Sequence, residues 1–280
     1  MGESYIVAAR LLTHYQVSAR DLPWRRTHDP YAVLVSEVML QQTQVSRVAP
    51  AFERFMRRFP TLSALAAAPL AAVLREWSGL GYNRRARDLQ RIARLCPNGL
   101  PDTVAELDAL PGIGAYTAGA VACFAFGQRV AFADVNIKRV LGRVFLGRPA
   151  TDKEGVDLDA RAVPDRNADL WHHALMDLGA TICAAKAPTC ELCPLQTDCL
   201  FARSPAVGGR TARVARPAAY TSSDRRVRGA IVRSLVQAET GLTLHALEKQ
   251  LADARVPRLI EALVADGLIE RSGRRYRLPT

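Results

Sequence analysis

The sequence predicts a mainly α-helical protein with a small α/β module at its C-terminal end, beginning near residue 220. Three observations predict it. Apolar residues recur at spacings of three and four through most of the chain before residue 200, the period of helices that bury one face. No stretch in that region alternates cleanly enough to be a half-buried strand. After a break rich in proline, glycine and arginine, the pattern changes to three helices and a short hairpin.

Taken in order, helical spacing covers Tyr5–Val17, Tyr31–Gln41, Val48–Phe59, Leu70–Trp77, Arg84–Leu95, Tyr116–Phe126, Val135–Leu146 and Asp169–Thr181. Helix-stopping residues stand between them at Pro23, Asp29-Pro30, Pro60, Gly79–Gly81, Pro97–Pro101 and Pro111–Gly114. Ser204–Ser223 holds three arginines, two prolines and two glycines and no acidic residue. It reads either as a basic linker lying along a phosphate backbone or as a solvated tether. Beyond it, Asp224–Val236, Thr243–Leu251 and Val256–Asp266 read as helices, and Leu268–Leu278 as a hairpin around Ser272-Gly273. Three helices and a hairpin outline a winged helix, a module that binds DNA in some proteins and docks proteins in others. Arg274, Arg275 and Arg277 on the expected wing favour DNA.

The apolar content of 49% is ample for real cores and excludes a disordered chain. A net charge of +11 and a pI near 9.8 point to a polyanionic partner, nucleic acid ahead of an anionic membrane surface. The basic residues are nearly all arginine, a skew given no functional weight. Met1–Ala8 contains Glu3 with no apolar signal region behind it. The most apolar stretches, Leu62–Leu74 and Ala118–Gly127, are too short to span a bilayer. A soluble, reducing, cytosolic setting is expected.

Four cysteines, Cys183, Cys190, Cys193 and Cys199, follow the spacing C-x6-C-x2-C-x5-C. Thiols so close in sequence converge on one point. Zinc sites built from cysteine usually use two close pairs. Here one pair is close and two cysteines lie further out, which suits a larger object such as an iron–sulfur cluster. Disulfides fit poorly, because the remaining Cys96 and Cys123 sit in apolar helical stretches, as buried thiols do.

Three further motifs carry chemistry. Leu110-Pro111-Gly112-Ile113-Gly114 precedes a helix, and such a turn aims backbone amides at an anion; it is also a common connector between helices. Asp134 stands just before a helix, where an aspartate is usually an N-cap, and helix amides there keep a carboxylate ionised. Glu37 shares a helical face with Val33, Leu40 and Gln44. On an apolar stripe it would be desolvated and able to donate a proton near neutral pH; on a differently phased helix it would be exposed.

Together these residues resemble the helix-hairpin-helix DNA glycosylases with a C-terminal iron–sulfur loop, the group that includes endonuclease III. Within it the chain is similar to the adenine DNA glycosylases of the MutY type. The matching stretches are Leu22–Arg25, Ser36–Val45, Gly79–Tyr82, Leu110–Ala120, Asp134–Arg139 and Met176–Cys199, within residues 5–200. The resemblance implies two lobes: residues 1–20 with 130–203 around the cluster, and 21–129 as a helical barrel carrying the hairpin. A basic linker at 204–219 and a winged-helix-like domain at 220–280 follow. One 4Fe-4S cluster would sit on Cys183, Cys190, Cys193 and Cys199, presenting Lys186 to DNA phosphates.

The implied activity is removal of adenine mispaired with guanine or 8-oxoguanine in double-stranded DNA, by a monomer in the cytoplasm, associated with the nucleoid and with no membrane. Glu37 would protonate the base, because a neutral purine leaves too slowly near neutral pH. Asp134 would stabilise the oxocarbenium-like sugar. Tyr116 falls where lyase relatives carry a nucleophilic lysine; a phenol forms no Schiff base, which implies a monofunctional enzyme. Asn136 would orient the site and Arg25 line the pocket. Gln42 and Tyr82 would enter the duplex, Tyr82 as a wedge, with ordinary helix packing the alternative for Tyr82. Gln42, Thr43 and Leu80 would meet the opposite base, and Gly112 and Gly114 a phosphate. Many such adenine glycosylases carry a larger Nudix-related domain that reads 8-oxoguanine; here residues 220–280 stand in its place. A thymine or uracil mismatch glycosylase on the same fold, and a non-catalytic iron–sulfur regulator with a winged-helix DNA reader, are the competing assignments.

Overall fold

The computed structural model describes residues 2–203, 223–238 and 240–279. The expected linker at 204–219 lies outside the described residues. In chain order the helices are α1 (Gly2–Ser18), α2 (Pro30–Leu40), α3 (Val45–Arg58), α4 (Leu62–Ala67), α5 (Leu70–Glu76) and α6 (Arg84–Leu95). Then follow α7 (Val104–Asp108), α8 (Ala115–Phe126), α9 (Val135–Leu146), α10 (Asp152–Ala162), α11 (Ala168–Thr181) and α12 (Leu200–Arg203). The C-terminal module holds α13 (Asp224–Gln237), α14 (Leu244–Leu251) and α15 (Val256–Ala265), with strands β1 (Leu242–Thr243), β2 (Glu270–Ser272) and β3 (Arg275–Arg277). No helix among the described residues is long and apolar enough to cross a membrane.

Each expected helix is present. Four that periodicity did not announce are α4, α7, α10 and the single turn α12. The first three begin at a threonine whose hydroxyl accepts from a backbone amide of the first turn: Thr61, Thr103 and Thr151. Thr151 and Glu154 form a full capping box, a sequence signal that marks α10 despite its few apolar residues.

The chain divides into two compact units. The first comprises Met1–Val33, Asp102–Ala109 and Ile113–Val214; the second comprises Leu34–Pro101, Leu110–Gly112 and Ala215–Thr280. The expected barrel lobe, 21–129, is thus shared between them. In the first unit α9 packs against α10 and α11, α11 against α1, and α7 against α8. Its core includes Leu11, Val121, Ile137, Leu141, Trp171 and Leu175, each essentially inaccessible.

In the second unit α4 and α5 pack on α6, and α13 on α5. The C-terminal module buries Ile231, Leu235, Leu247, Leu259, Leu263 and Leu268 in a core of its own. Its sheet runs in the order β1-β3-β2, all antiparallel, with Leu242 opposite Tyr276 and Glu270 opposite Arg277. This is the winged-helix outline with a short first strand added. Asp266 ties the module to α6: its carboxylate accepts from Arg84 at 2.5 Å and from Arg228, and its carbonyl accepts from Arg87. Burial works to raise the Asp266 pKa, but the Arg84 and Arg228 hydrogen bonds overcome it and hold it below the usual carboxylate range. Ala71 also donates to the carbonyl of Pro279 at 3.1 Å.

Arg85, at the start of α6, organises the loops of this unit. One terminal nitrogen donates to the carbonyls of Val38, Met39 and Gln41 at 2.8, 3.0 and 2.6 Å. The other donates to Thr43 Oγ1 and to the carbonyls of Leu80 and Gly81 at 3.1, 3.4 and 3.1 Å. The carbonyls at the end of α2 have no intrahelical partner, and the guanidinium supplies one. Burial pushes the Arg85 pKa down to about 10, so the group remains a cation at neutral pH. Arg85→Lys should lower unfolding stability by about 2–4 kcal/mol, because an ammonium cannot serve two loops as a planar fork does. Urea denaturation checks this; a loss below about 0.5 kcal/mol would mean the carbonyls find other donors.

Candidate active site

Helix α2 starts at Pro30, with Asp29 accepting from the amides of Tyr31 and Ala32 at 3.2 and 3.3 Å. From Tyr31 to Met39 every residue is buried. The helix therefore has no solvent face, and the expected apolar stripe understates its burial. Glu37 is only 6% exposed. Its desolvation comes from enclosure of the whole helix, independent of phase.

At the end of α2 the chain turns through Gln42, whose φ is +56°, and before α6 it turns through Tyr82, whose φ is +50°. Neither is a glycine, so both sit in a costly left-handed conformation. The Tyr82 hydroxyl donates to Gln42 Oε1 at 2.5 Å. Tyr82 thus lies in a loop and is not packed as a helix residue. The guanidinium of Arg85 lies 5.2 Å from its ring centroid and that of Arg225 lies 4.8 Å away. Thr43 joins this corner through Arg85 and the Gln41 carbonyl. Leu80 is buried, 5% exposed, as part of the core beneath the loop.

In the hairpin, Gly112 has φ +74°, and a Cβ there would meet Asp88 Cβ at 3.2 Å. Both conformation and space demand glycine. Gly114 is the N-cap of α8 in extended backbone with open space around it. Both glycines are exposed.

In the first unit, Asp134 caps α9. Its Oδ1 accepts from the amides of Asn136 and Ile137 at 2.8 and 2.7 Å, and its Oδ2 from Asn136 Nδ2 at 2.8 Å. The Asn136 carbonyl oxygen accepts from Arg139 at 2.8 Å, and Arg139 also donates to the carbonyls of Gly179 and Cys183 at 2.7 and 2.8 Å. Gly179 must be glycine, since a Cβ there would meet Asn136 Cβ at 2.6 Å. A continuous chain of hydrogen bonds therefore joins Asp134 to the backbone of the first cysteine of the loop. Tyr116 packs edge-on against Phe132, centroids 5.6 Å apart. Phe132 in turn stacks on His172 at 3.9 Å, and its amide donates to the fully buried Asp159. Asp159 also takes Trp171 Nε1 and pairs with His172 Nε2, both at 2.8 Å. Arg25 makes a two-pronged pair with Asp177, both contacts 2.8 Å.

The four cysteines line one cavity with Arg143, Leu195 and Phe201. Arg143 is 3% exposed. It donates to the carbonyls of Ala184 and Ala185 at 2.8 and 3.0 Å and to Cys183 Sγ at 3.2 Å, while its own carbonyl accepts from Cys199 Sγ at 3.4 Å. Burial pushes the Cys193 thiol up to about 11 and those of Cys190 and Cys199 in the same direction. Among the described residues, no three Cys, His, Asp or Glu side chains are placed as the ligands of a single metal ion. Lys186 is exposed on the same loop. Arg85, Arg139, Arg143, Asp159 and Asp177 were given no role from the sequence. The three arginines donate mainly to backbone carbonyls, Asp159 takes Phe132, Trp171 and His172, and Asp177 takes Arg20 and Arg25; no motif announces these roles.

The family model of the HhH-GPD superfamily base excision DNA repair proteins matches residues 35–164. The chain is 42% identical to the adenine DNA glycosylase of Mycobacterium tuberculosis, over 99% of this chain and 95% of that one. It is also 42% identical to the adenine DNA glycosylase of Mycolicibacterium smegmatis, over 95% of this chain and 94% of that one. Among solved structures it is similar to a thermostable thymine-DNA glycosylase, with a TM-score of 0.67 and 29% identity over 72% of this chain and 97% of that chain. The match to the mycobacterial proteins runs from the N-terminal helices through the C-terminal module, and the chain belongs to the adenine DNA glycosylases of the HhH-GPD superfamily.

Proposed function

We propose that the protein is a monofunctional DNA glycosylase that removes adenine mispaired with guanine or 8-oxoguanine from duplex DNA. The observation that carries this is a pair of carboxyl groups in contrasting surroundings. Glu37 is buried, 6% exposed, in a helix enclosed from Tyr31 to Met39. Asp134 accepts three hydrogen bonds at a helix N-terminus. An enclosed carboxyl and one held by helix amides suit an acid and a charge stabiliser in one reaction.

Glu37 donates a proton to the flipped adenine. The bond from C1′ to the base breaks with its electron pair leaving on the adenine, and positive charge grows on the sugar. Asp134 offsets that charge, held in place by Asn136 and Arg139. Water adds at C1′ and gives up its proton to the Glu37 carboxylate, which restores the acid. Tyr116 offers no amine, so no covalent sugar adduct forms. Gln42 and Tyr82 enter the duplex where the adenine has left, supported by Thr43 and Leu80. Arg25, fixed by Asp177, lines the pocket. The hairpin amides at Gly112 and Gly114, with Lys186, take phosphates. Cys183, Cys190, Cys193 and Cys199 would hold one 4Fe-4S cluster as thiolate ligands, and the four bonds would fix the loop. The four thiols share one cavity, and their spacing of one close pair with two outlying cysteines supports a cluster. The protein acts as a monomer on nucleoid DNA.

With duplexes containing one A·8-oxoguanine, A·G or G·T pair, followed by alkali cleavage, scission is expected at adenine. Scission only at thymine would move the protein to the thymine-mismatch assignment that its likeness to a thymine-DNA glycosylase suggests. Glu37→Gln should slow adenine release by about 10² to 10⁴-fold while mispair binding persists; an unchanged rate removes Glu37 from the acid role. Asp134→Asn should cost about 10² to 10³-fold, since the amide keeps a cap but not the charge, and a near-normal rate would leave Asp134 a helix cap only. Purified protein should be yellow-brown and carry iron and sulfide; a colourless, zinc-loaded protein with folded structure would overturn the cluster assignment.

A further inference from the structure

A cleft of about 400 Å³ lies within the second unit, between the loop that carries Tyr82 and the C-terminal module. That volume falls within the roughly 300–1,000 Å³ of small-ligand pockets. One wall is Tyr82 with the first residues of α6. The other is α13, which contributes Arg225, Arg228 and Gly229, and the floor is Leu263 and Leu268. Leu263 and Leu268 are each 1% exposed. Arg225 stacks over the Tyr82 ring, and Arg228 is anchored from behind by Asp266.

A nucleotide has a flat base and an anionic phosphate. The cleft offers an aromatic side and an apolar floor for the first, and guanidinium groups for the second. Arginine serves both, because its plane stacks and its fork binds phosphate. We propose that this cleft receives the DNA nucleotide bordering the inserted Tyr82, its base beside the tyrosine and its phosphate on Arg225 and Arg228. The winged-helix module then reads the distorted duplex through α13, and its wing plays no part in this contact. Two of the three wing arginines are bonded within the module: Arg275 donates to the Gly241 carbonyl at 2.9 Å and Arg277 to Glu270 at 2.6 Å.

The proposal rests on Tyr82 entering DNA, as the glycosylase assignment requires, and two variants of the full chain test it. Arg225→Ala removes the stacking cation. Gly229→Leu changes no charge and fills the cleft; a Cβ at Gly229 meets only Arg233 Nη1, at 3.6 Å, so the helix accepts the side chain. Binding is read by fluorescence anisotropy on two duplexes, one with an A·G mispair bearing a 2′-fluoro adenosine that resists excision, the other fully paired. Each variant should bind the mispaired duplex about tenfold more weakly, with little change on the paired duplex. Loss of equal size on both duplexes would reduce Arg225 to a general phosphate contact and overturn the proposal, as would no loss for either variant. A 5-iodouracil placed next to the mispair should photo-crosslink inside the cleft, to the peptide containing Tyr82 or the one containing residues 224–229; crosslinks to neither peptide would also overturn it. Deoxyadenosine monophosphate should not compete with DNA, and tight binding of the free nucleotide that Gly229→Leu abolishes would assign the cleft to a free ligand instead. Wild-type protein that excises no adenine and does not prefer the mispair fails the glycosylase assignment. Wild-type protein that does both, with both variants unaltered, fails the cleft alone.

Discussion

The Arg85 guanidinium joins the end of α2 to the turn before α6 through six hydrogen bonds on two nitrogens. Without it, the carbonyls of Val38, Met39 and Gln41 would end a buried helix with no donor. The same contact makes two strained turns tolerable. Gln42 and Tyr82 both hold positive φ, a conformation costing about 1–3 kcal/mol for such residues unless the surroundings impose it. Arg85 fixes the backbone on either side of each turn, and the Tyr82 hydroxyl then bridges to Gln42. The Gln42 and Tyr82 side chains are therefore displayed from loops whose shape is set by the interior.

The first unit solves its own problem in the same way. Arg139 and Arg143 donate to backbone carbonyls from Gly179 to Ala185, where α11 ends and the cysteine loop begins. Asn136 links Arg139 to Asp134, so the cap of α9 and the first cysteine share one hydrogen-bonded frame. Carbonyls exposed by a helix end inside a protein need donors in a fixed arrangement, and a guanidinium brings five. Part of the arginine excess, given no weight when read as composition, is thus structural: Arg25, Arg85, Arg139 and Arg143 act mostly inward.

Much of the fold was legible because it rests on local signals. Helical spacing located the long helices, and the C-terminal pattern of three helices and a hairpin located the module. The short helices α4, α7 and α10 were hidden from periodicity but not from capping chemistry, since each starts at a threonine. Strand β1 has only two residues and no period to detect. At the site, Asp134 and Gly112 could be read from position alone, one before a helix and one in a tight turn. Glu37 could be placed on a helix, but its enclosure on all sides depends on neighbours distant in sequence. The same is true of Asp159, Asp177 and the buried arginines, which have partners as far as 157 residues away. Local patterns reveal what a residue does to its own backbone; long-range pairs have no such trace.

The C-terminal module shows why charge on a surface is poor evidence for which surface binds. By composition the wing was the more basic element, with three arginines in four positions, Arg274 to Arg277. Two of those three arginines hold the module together. Helix α13 carries its arginines toward α6 instead, where Asp266 sets one of them and Tyr82 receives another. Asp266 also takes Arg84, and its carbonyl takes Arg87, so the module is held to the same helix that begins with Arg85. The tyrosine loop and α13 are thereby positioned from a single element. Any movement of α6 would carry both, which keeps the aromatic ring and its arginine neighbours in register with each other whatever the rest of the chain does.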